Sequence, residues 1–100
     1  MKSVAYHPEA RLEADAAASY YFQSNPEAAS DFMDSLAEIV AEIQEAPQRW
    51  SFERGTKVQR RRMARFPYTI FYSNNLREVY ILAVAHTSRR PGYWKTRIAG

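Results

Sequence analysis

The spacing of the apolar residues changes near Pro47, and that change limits the folds open to this chain. Before Pro47, apolar residues recur every three or four positions, which is typical of amphipathic helices. Beyond it, YTIFY (68–72) and EVYILAVAH (78–86) are rich in β-branched and aromatic residues, which indicates strands. The sequence therefore predicts helices followed by a sheet, in an α+β domain.

Two helical segments are separated by a clear restart signal. Residues 8–24 are rich in alanine and glutamate, and a second helix is expected to begin after Asn25 and to stop by Pro47. Asn25 is a good N-cap, Pro26 suits the first helical position, and Glu27 suits the first turn. The short link predicts an antiparallel helical hairpin.

Four strands are expected around this hairpin. The predicted order is β-α-α-β-β-β, with the hairpin packed on one face of a small, mainly antiparallel sheet, and residues 1–100 forming a single domain. The last three strands should form an antiparallel meander. The expected strand ranges are 3–7, 58–66, 68–72 and 78–86.

Composition excludes several classes of protein. The chain has no cysteine, which excludes disulfides and thiolate metal sites. With only two histidines, no metal and no cofactor are expected. The N-terminus lacks the apolar core of a signal peptide, and no run approaches the roughly 20 apolar residues of a membrane helix. We therefore expect a cytoplasmic protein that does not enter a membrane.

The charge is divided very unevenly between the two halves. Residues 1–53 carry ten acids and three bases, a net of −7, whereas residues 54–100 carry eleven bases and one acid, a net of +10. One explanation is a polyanionic partner for the basic half. The other is that acidic helices and a basic sheet attract each other within one fold.

Six cations lie close together at the start of the basic half, and no acid occurs from residue 54 to 77. On a strand, Arg60 and Arg62 point to one face. Arg61 and Arg65 point to the other. Because the helices cover only one face, part of the cluster should stand on the open face, where guanidinium groups bind phosphates or carboxylates. The alternative is a strand edge protected by charge. The six are Arg54, Lys57, Arg60, Arg61, Arg62 and Arg65.

The segment AHTSRRPGYW (85–94) carries the candidates for proton transfer. A histidine exchanges protons near neutral pH, so His86, beside Arg89 and Arg90, is a candidate acid or base. It is alternatively a hydrogen-bonding residue at a strand end. Tyr93 either stacks on bases or packs on the core.

Two other residues are predicted to be structural. His7 stands at the junction of the first strand and the first helix, and Trp94 is assigned to packing because aromatic rings bury well. No glycine-rich phosphate loop and no GxSxG motif are present in the sequence.

Three stretches together resemble a known family. They are the hairpin pattern YY…NPEAASDFMDSL…AP, RFPYTIFY (65–72) and ILAVAHTSRRPGYW (81–94). Over essentially its whole length, the chain resembles the RelE/ParE superfamily of toxins from bacterial type II toxin–antitoxin modules. The resemblance implies the same fold, growth arrest by the free toxin, and a hetero-oligomer with an antitoxin that wraps it. We expect the antitoxin to bind at the groove of the helical hairpin and at the basic strand.

The resemblance implies one of two targets. RelE-like members cut mRNA on the ribosome, using basic residues on the sheet and a late aromatic or histidine. ParE-like members lack this set and poison DNA gyrase. If the protein is a nuclease, the catalytic residues implied are His86, Tyr93 and Arg62. The residues expected to bind nucleic acid or the target are Arg60, Arg61, Arg65, Arg89 and Arg90.

Two departures from the nuclease pattern favour the ParE-like alternative. Thr69 and Thr87 stand where that pattern has arginines, and Arg89 is the nearest substitute for the second. We therefore expect a toxin directed at gyrase. The alternatives are a ribosome-dependent mRNA endonuclease, and a non-toxic binding module with a basic sheet.

Overall fold

Two helices pack on one face of a four-stranded mixed sheet in the computed structural model, which describes residues 2–98. The strands lie side by side in the order β1-β4-β3-β2. Two 3₁₀-helices, Pro47–Arg49 and Tyr93–Arg97, complete the structure. The elements are β1 (Ser3–Tyr6), α1 (Pro8–Ser24), α2 (Pro26–Glu45), β2 (Gln59–Arg62), β3 (Tyr68–Asn74) and β4 (Glu78–His86).

The two helices begin at side-chain caps. The Nδ1 of His7 accepts the N–H of Glu9 at 3.0 Å, which confirms a structural role for this histidine. Asn25 alone links the helices, and its Oδ1 accepts the N–H groups of Glu27 (2.8 Å) and Ala28 (3.3 Å). The predicted hairpin is confirmed, with a link of one residue. Neither helix of the described chain is long and apolar enough to cross a membrane.

The sheet is mainly antiparallel, as predicted. β2, β3 and β4 form the meander, and β1 pairs parallel to β4. β4 therefore has a strand on each side, and its continuous apolar sequence follows from the packing of side chains on both of its faces. The range 58–66 predicted for β2 was too long. The strand ends at Arg62, and the chain bends over residues 64–67 after a last bond from the N–H of Met63 to the carbonyl of Tyr68 at 2.9 Å.

One extra residue in β4 sends apolar side chains to both faces of the sheet. Phe71 pairs with Ala83, but the next residue, Tyr72, pairs with Ile81, so Leu82 has no partner on β3. Ile81 consequently packs in the core beneath the helices, whereas Leu82 and Ala83 both pack on the opposite face.

A second, smaller core lies on the face of the sheet that the helices leave uncovered. Trp94 is only 1% exposed and stacks on Phe71 with ring centroids 4.5 Å apart. The packing role predicted for Trp94 is therefore confirmed. This ring holds residues 87–98, which we call the C-terminal segment, over the sheet. The second face is thus partly covered by the chain itself, which the sequence analysis did not anticipate.

Candidate functional site

The register of the sheet brings the arginines of β2 beside the C-terminal segment. Arg62 pairs with Thr69, and Thr69 pairs with Ala85, so these side chains form a row on the face opposite the helices. Arg60 occupies the next row, beside Phe71. A cleft of about 280 Å³ opens above the two rows, and we call it the basic cleft. Its lining is Glu53, Arg60, Arg62, Thr69, Phe71, Ala85, His86, Thr87 and residues 89–94.

Three of the six clustered cations have acidic partners from elsewhere in the chain. Arg61 and Arg65 both pair with acids of α2, away from the basic cleft. The uneven charge of the two halves is therefore explained in part by attraction between the acidic helix and the basic strand. The third pair lies at the cleft itself. The pairs are Arg61 Nη2 with Glu42 Oε1 (2.9 Å), Arg65 Nη2 with Asp31 Oδ2 (3.5 Å), and Arg60 Nη1 with Glu53 Oε1 (3.0 Å).

Two arginines of the basic cleft keep an uncompensated charge. Arg62 and Arg90 are exposed, and neither forms an ion pair within residues 2–98. Arg89 differs from them, because its Nη1 lies 3.9 Å from Glu13 Oε2. The uneven charge of the sequence is therefore partly neutralised by the fold and partly presented at this cleft.

His86 lies on the other side of the sheet from Arg62. It pairs with Tyr68, one position along from the row of Arg62, so its side chain turns toward the helices. Its ring meets the ring of Tyr68 edge-on, with centroids 5.1 Å apart. Its Nδ1 accepts the N–H of Ser88 at 3.0 Å. His86 reaches the rim of the basic cleft, but its ring is not directed at the arginine row.

Tyr93 lines the basic cleft but turns its hydroxyl away from it. The hydroxyl donates to Glu13 Oε2 at 2.6 Å. Burial raises the pKa of Tyr93 well above the ordinary value of 10.0, and the hydrogen bond and charge of Glu13 raise it further. The guanidinium of Arg89 covers the ring, 3.8 Å from its centroid. Tyr93 is therefore a neutral, engaged phenol at neutral pH.

Glu13 organises a partly buried cluster that was not predicted from the sequence. Arg97 donates two hydrogen bonds to its carboxylate, at 3.0 and 2.9 Å, and Tyr93 donates a third. Glu13 Oε1 also accepts the N–H of Val84 (2.9 Å), while Arg97 Nη1 donates to the carbonyl of Leu82 (3.1 Å). Because β1 pairs with only the first part of β4, these side chains satisfy backbone groups that have no strand beside them.

The charge of this cluster is well stabilised. Burial raises the pKa of Glu13, but hydrogen bonds from Arg97, Tyr93 and the N–H of Val84 outweigh burial, and the pKa lies below 4.5. A sequence signal for Glu13 did exist. It stands three residues after Ala10 and four before Ala17, on the buried face of α1, where an acid needs partners.

A second, more apolar groove of about 540 Å³ lies between α1 and the β3–β4 end of the sheet. We call it the apolar groove. Tyr20, 64% exposed, stands on its helical side, and the groove shares His86 and Arg89 with the basic cleft. It lies on the hairpin surface where the antitoxin was expected. Its lining is Glu13, Ala16, Ala17, Tyr20, Tyr21, Pro67, Tyr68, Val84, His86, Ser88 and Arg89.

A helical hairpin on one face of a mixed sheet is the fold expected of a RelE/ParE-type toxin. The structure is similar to a chain of a solved structure described as "Chromosomal ParDE TA system from P. aeruginosa", with a TM-score of 0.75, 20% identity, and coverage of 86% of this chain and 96% of that chain. The family model "ParE toxin of type II toxin-antitoxin system, parDE" matches residues 4–91. The chain therefore belongs to the ParE toxin family. No curated protein matches it.

Family membership settles the coarse function. The protein is the toxin component of a type II toxin–antitoxin module, of the ParE-like kind, and it has an antitoxin as its partner. The superfamily, the α+β fold and the ParE-like assignment predicted from the sequence are confirmed. The prediction that the helices and strands follow the order β-α-α-β-β-β is confirmed as well.

Proposed function

We propose that this toxin arrests growth by acting on DNA gyrase in the cytoplasm and that it does not cut mRNA. One observation carries the proposal: Arg62, His86 and Tyr93 all line the basic cleft, but the two groups that would transfer protons are engaged away from Arg62. Arg62 stands in the basic cleft, the ring of His86 lies on the helix side, and the hydroxyl of Tyr93 is bonded to Glu13. Attack by a 2′-hydroxyl needs a base, an acid and a cation at one phosphodiester. A gyrase poison needs only a presented surface.

The two threonines support the same proposal. Thr69 occupies the middle of the row beside Arg62, and Thr87 lines the cleft just after β4. A hydroxyl carries no charge, so it stabilises the charge developing on a phosphate far less than a guanidinium does. Arg89, the nearest substitute, lies over Tyr93 and 3.9 Å from Glu13, which offsets part of its charge.

The antitoxin is proposed to silence the toxin in a hetero-oligomer by covering the apolar groove and the basic strand. The groove offers the exposed ring of Tyr20, and its rim carries Arg89. Apolar burial would supply most of the affinity, and the arginines would attract an acidic segment. Binding is therefore expected to weaken as salt rises. Affinity that is insensitive both to salt and to Arg60→Ala or Arg62→Ala would contradict the electrostatic part.

The experiment is induction of the toxin without its antitoxin, followed within minutes by mapping of new mRNA 5′ ends. In parallel, the purified toxin is added to gyrase in a supercoiling assay. We expect arrested growth, intact mRNA and inhibited supercoiling. New 5′ ends clustered in translated codons would contradict the proposal. Intact mRNA with normal growth and active gyrase would also contradict it, and would favour a binding module without toxicity.

His86→Gln provides a matched control. If the toxin acts on gyrase, this variant should still arrest growth, because the His86 ring does not face the cleft. In a nuclease that uses His86 for proton transfer, the same change is expected to reduce activity by about 100-fold or more. Loss of growth arrest in a His86→Gln protein that still folds would therefore point back to mRNA cleavage.

A further inference from the structure

We propose that the basic cleft binds the phosphodiester backbone of DNA without reading its bases. This inference rests on the proposed action on gyrase, an enzyme whose substrate is DNA. It adds to that proposal the class of ligand, the DNA backbone, and the site on this chain that binds it. Three features of the cleft carry it: the surplus of cations, the small side chains beside Arg62, and aromatic rings that are already engaged by other side chains.

The lining of the cleft carries more cations than acids. Four arginines line it, and Glu53 is the one acid in the lining that the structure describes, which leaves a net charge of +3. Glu53 is already paired with Arg60. Arg62 and Arg90 remain as exposed guanidinium groups without an acidic partner in residues 2–98. A ligand with closely spaced negative charges would satisfy both of them.

The row beside Arg62 leaves space for a phosphate. Thr69 is its neighbour on β3 and Ala85 follows it on β4, and both side chains are short. A phosphate oxygen can therefore approach Arg62 from above the sheet. The Thr69 hydroxyl, which is partly exposed, adds a neutral donor of the kind that commonly binds phosphate oxygens.

The aromatic rings of the cleft are already engaged by other side chains. Trp94 is buried and stacks on Phe71, and the ring of Tyr93 has Arg89 at 3.8 Å and Arg97 at 5.1 Å from its centroid. Binding of single-stranded bases depends on exposed aromatic faces, so such binding is not expected here. An acidic peptide fits the apolar groove better, because exposed rings such as Tyr20 lie there beside Arg89. We therefore expect the basic cleft to contact the DNA backbone.

The test measures the affinity of the purified toxin for a short, fluorescently labelled DNA duplex over a range of salt concentrations, without gyrase. The double variant Arg62→Ala/Arg90→Ala should bind at least about tenfold more weakly, and its slope of log K against log salt should be shallower by about 2. A duplex rich in A·T and one rich in G·C should bind equally well to the wild-type toxin.

Arg61→Ala/Arg65→Ala is the matched control, because it removes the same charge from outside the cleft, where both arginines pair with α2. It should retain affinity within about twofold of the wild type. Equal losses in the two double variants would overturn the proposal, since binding would then follow net charge alone. A strong preference between the duplexes, or displacement of the duplex by polyglutamate as readily as by unlabelled DNA, would overturn it too.

Gyrase assays on the same variants separate this inference from the proposed function. If the wild type inhibits gyrase but Arg62→Ala/Arg90→Ala binds DNA as well as the wild type, the cleft assignment is wrong and the action on gyrase stands. If the wild type binds DNA through Arg62 and Arg90 but leaves gyrase active, the action on gyrase is wrong and the cleft assignment stands. Arg62, Arg65 and Arg90 are exposed and Arg61 is partly exposed, and circular dichroism checks that each variant is folded.

Discussion

Arg97 and Glu13 lie 84 positions apart in the chain and meet at one edge of β4 through two hydrogen bonds. The Nη1–Oε1 distance is 3.0 Å, the Nη2–Oε2 distance is 2.9 Å, and the two side chains are 12% and 14% exposed. The pair stands where β1 no longer accompanies β4, and it ties the C-terminal segment to α1. The C-terminal segment forms one wall of the basic cleft, and the Arg97–Glu13 ion pair therefore helps to hold that wall in place.

Glu13→Gln is expected to lower the free energy of unfolding by about 2 kcal/mol, because it leaves the largely buried charge of Arg97 without a counter-charge. Urea denaturation measures the change. Glu38→Gln is the control, since Glu38 is exposed on α2 and forms no ion pair in residues 2–98. It should change stability by less than about 0.5 kcal/mol. Equal effects of the two substitutions would contradict a structural role for the pair.

The contribution of Glu13 to stability is expected to disappear in acid. Its pKa in the folded protein lies below 4.5, so the folded state favours the carboxylate. The stabilisation is complete above the pKa of the unfolded chain and is lost as the pH falls through the folded pKa. The stability difference between the wild type and Glu13→Gln should therefore be constant near neutral pH and shrink below about pH 4.5. Urea denaturation at a series of pH values measures it, and a difference that grows in acid would contradict the assignment.

Gln59→Leu is expected to destabilise the protein by about 2 kcal/mol. Gln59 is 1% exposed, and its Nε2 donates to the carbonyls of Pro47 (2.7 Å) and Trp50 (2.8 Å) while its Oε1 accepts from Asn74 (2.6 Å). Leucine has a similar volume but leaves these partners unsatisfied. Thermal and urea denaturation measure the loss. Gln48→Leu, at an exposed position, is the control and should cost less than about 0.5 kcal/mol.

Alanine substitutions at two glycines distinguish the cost of backbone strain from the cost of steric crowding. Gly55 and Gly92 have φ values of +72° and +76°, so alanine at either position should cost about 1 kcal/mol. A Cβ on Gly55 meets nothing within 4 Å, whereas a Cβ on Gly92 lies 3.1 Å from the Cε of Lys95. Gly92→Ala should therefore cost slightly more in urea denaturation, and Lys95→Ala should remove the excess. If Gly92→Ala still costs more than Gly55→Ala when Lys95 is also alanine, contact with the Lys95 side chain is not the cause of the extra cost.

Much of the fold was predictable because its signals are local. The Asn25-Pro26 restart acts through hydrogen bonds to residues two and three positions away, and it marks the helical hairpin whatever the rest of the chain does. The alternation in YTIFY (68–72) identifies β3 for the same reason. The end of β2 was placed too late because the apolar spacing continues to Phe66, although the chain already bends over residues 64–67 to reach β3.

The sequence by itself determined which elements form, their order and the family, since capping, periodicity and motif are properties of neighbouring residues. Only the tertiary structure decided which side chains meet. Leu82 is the residue of β4 that has no partner on β3, and it reverses the face of the sheet that each later side chain of β4 occupies. This shift of one residue is enough to place His86 and Arg62 on different faces. The pairs Arg61–Glu42 and Glu13–Arg97 likewise depend on how distant segments pack. The charge left free in the basic cleft is therefore a property of the fold, because it remains only after those pairs have formed.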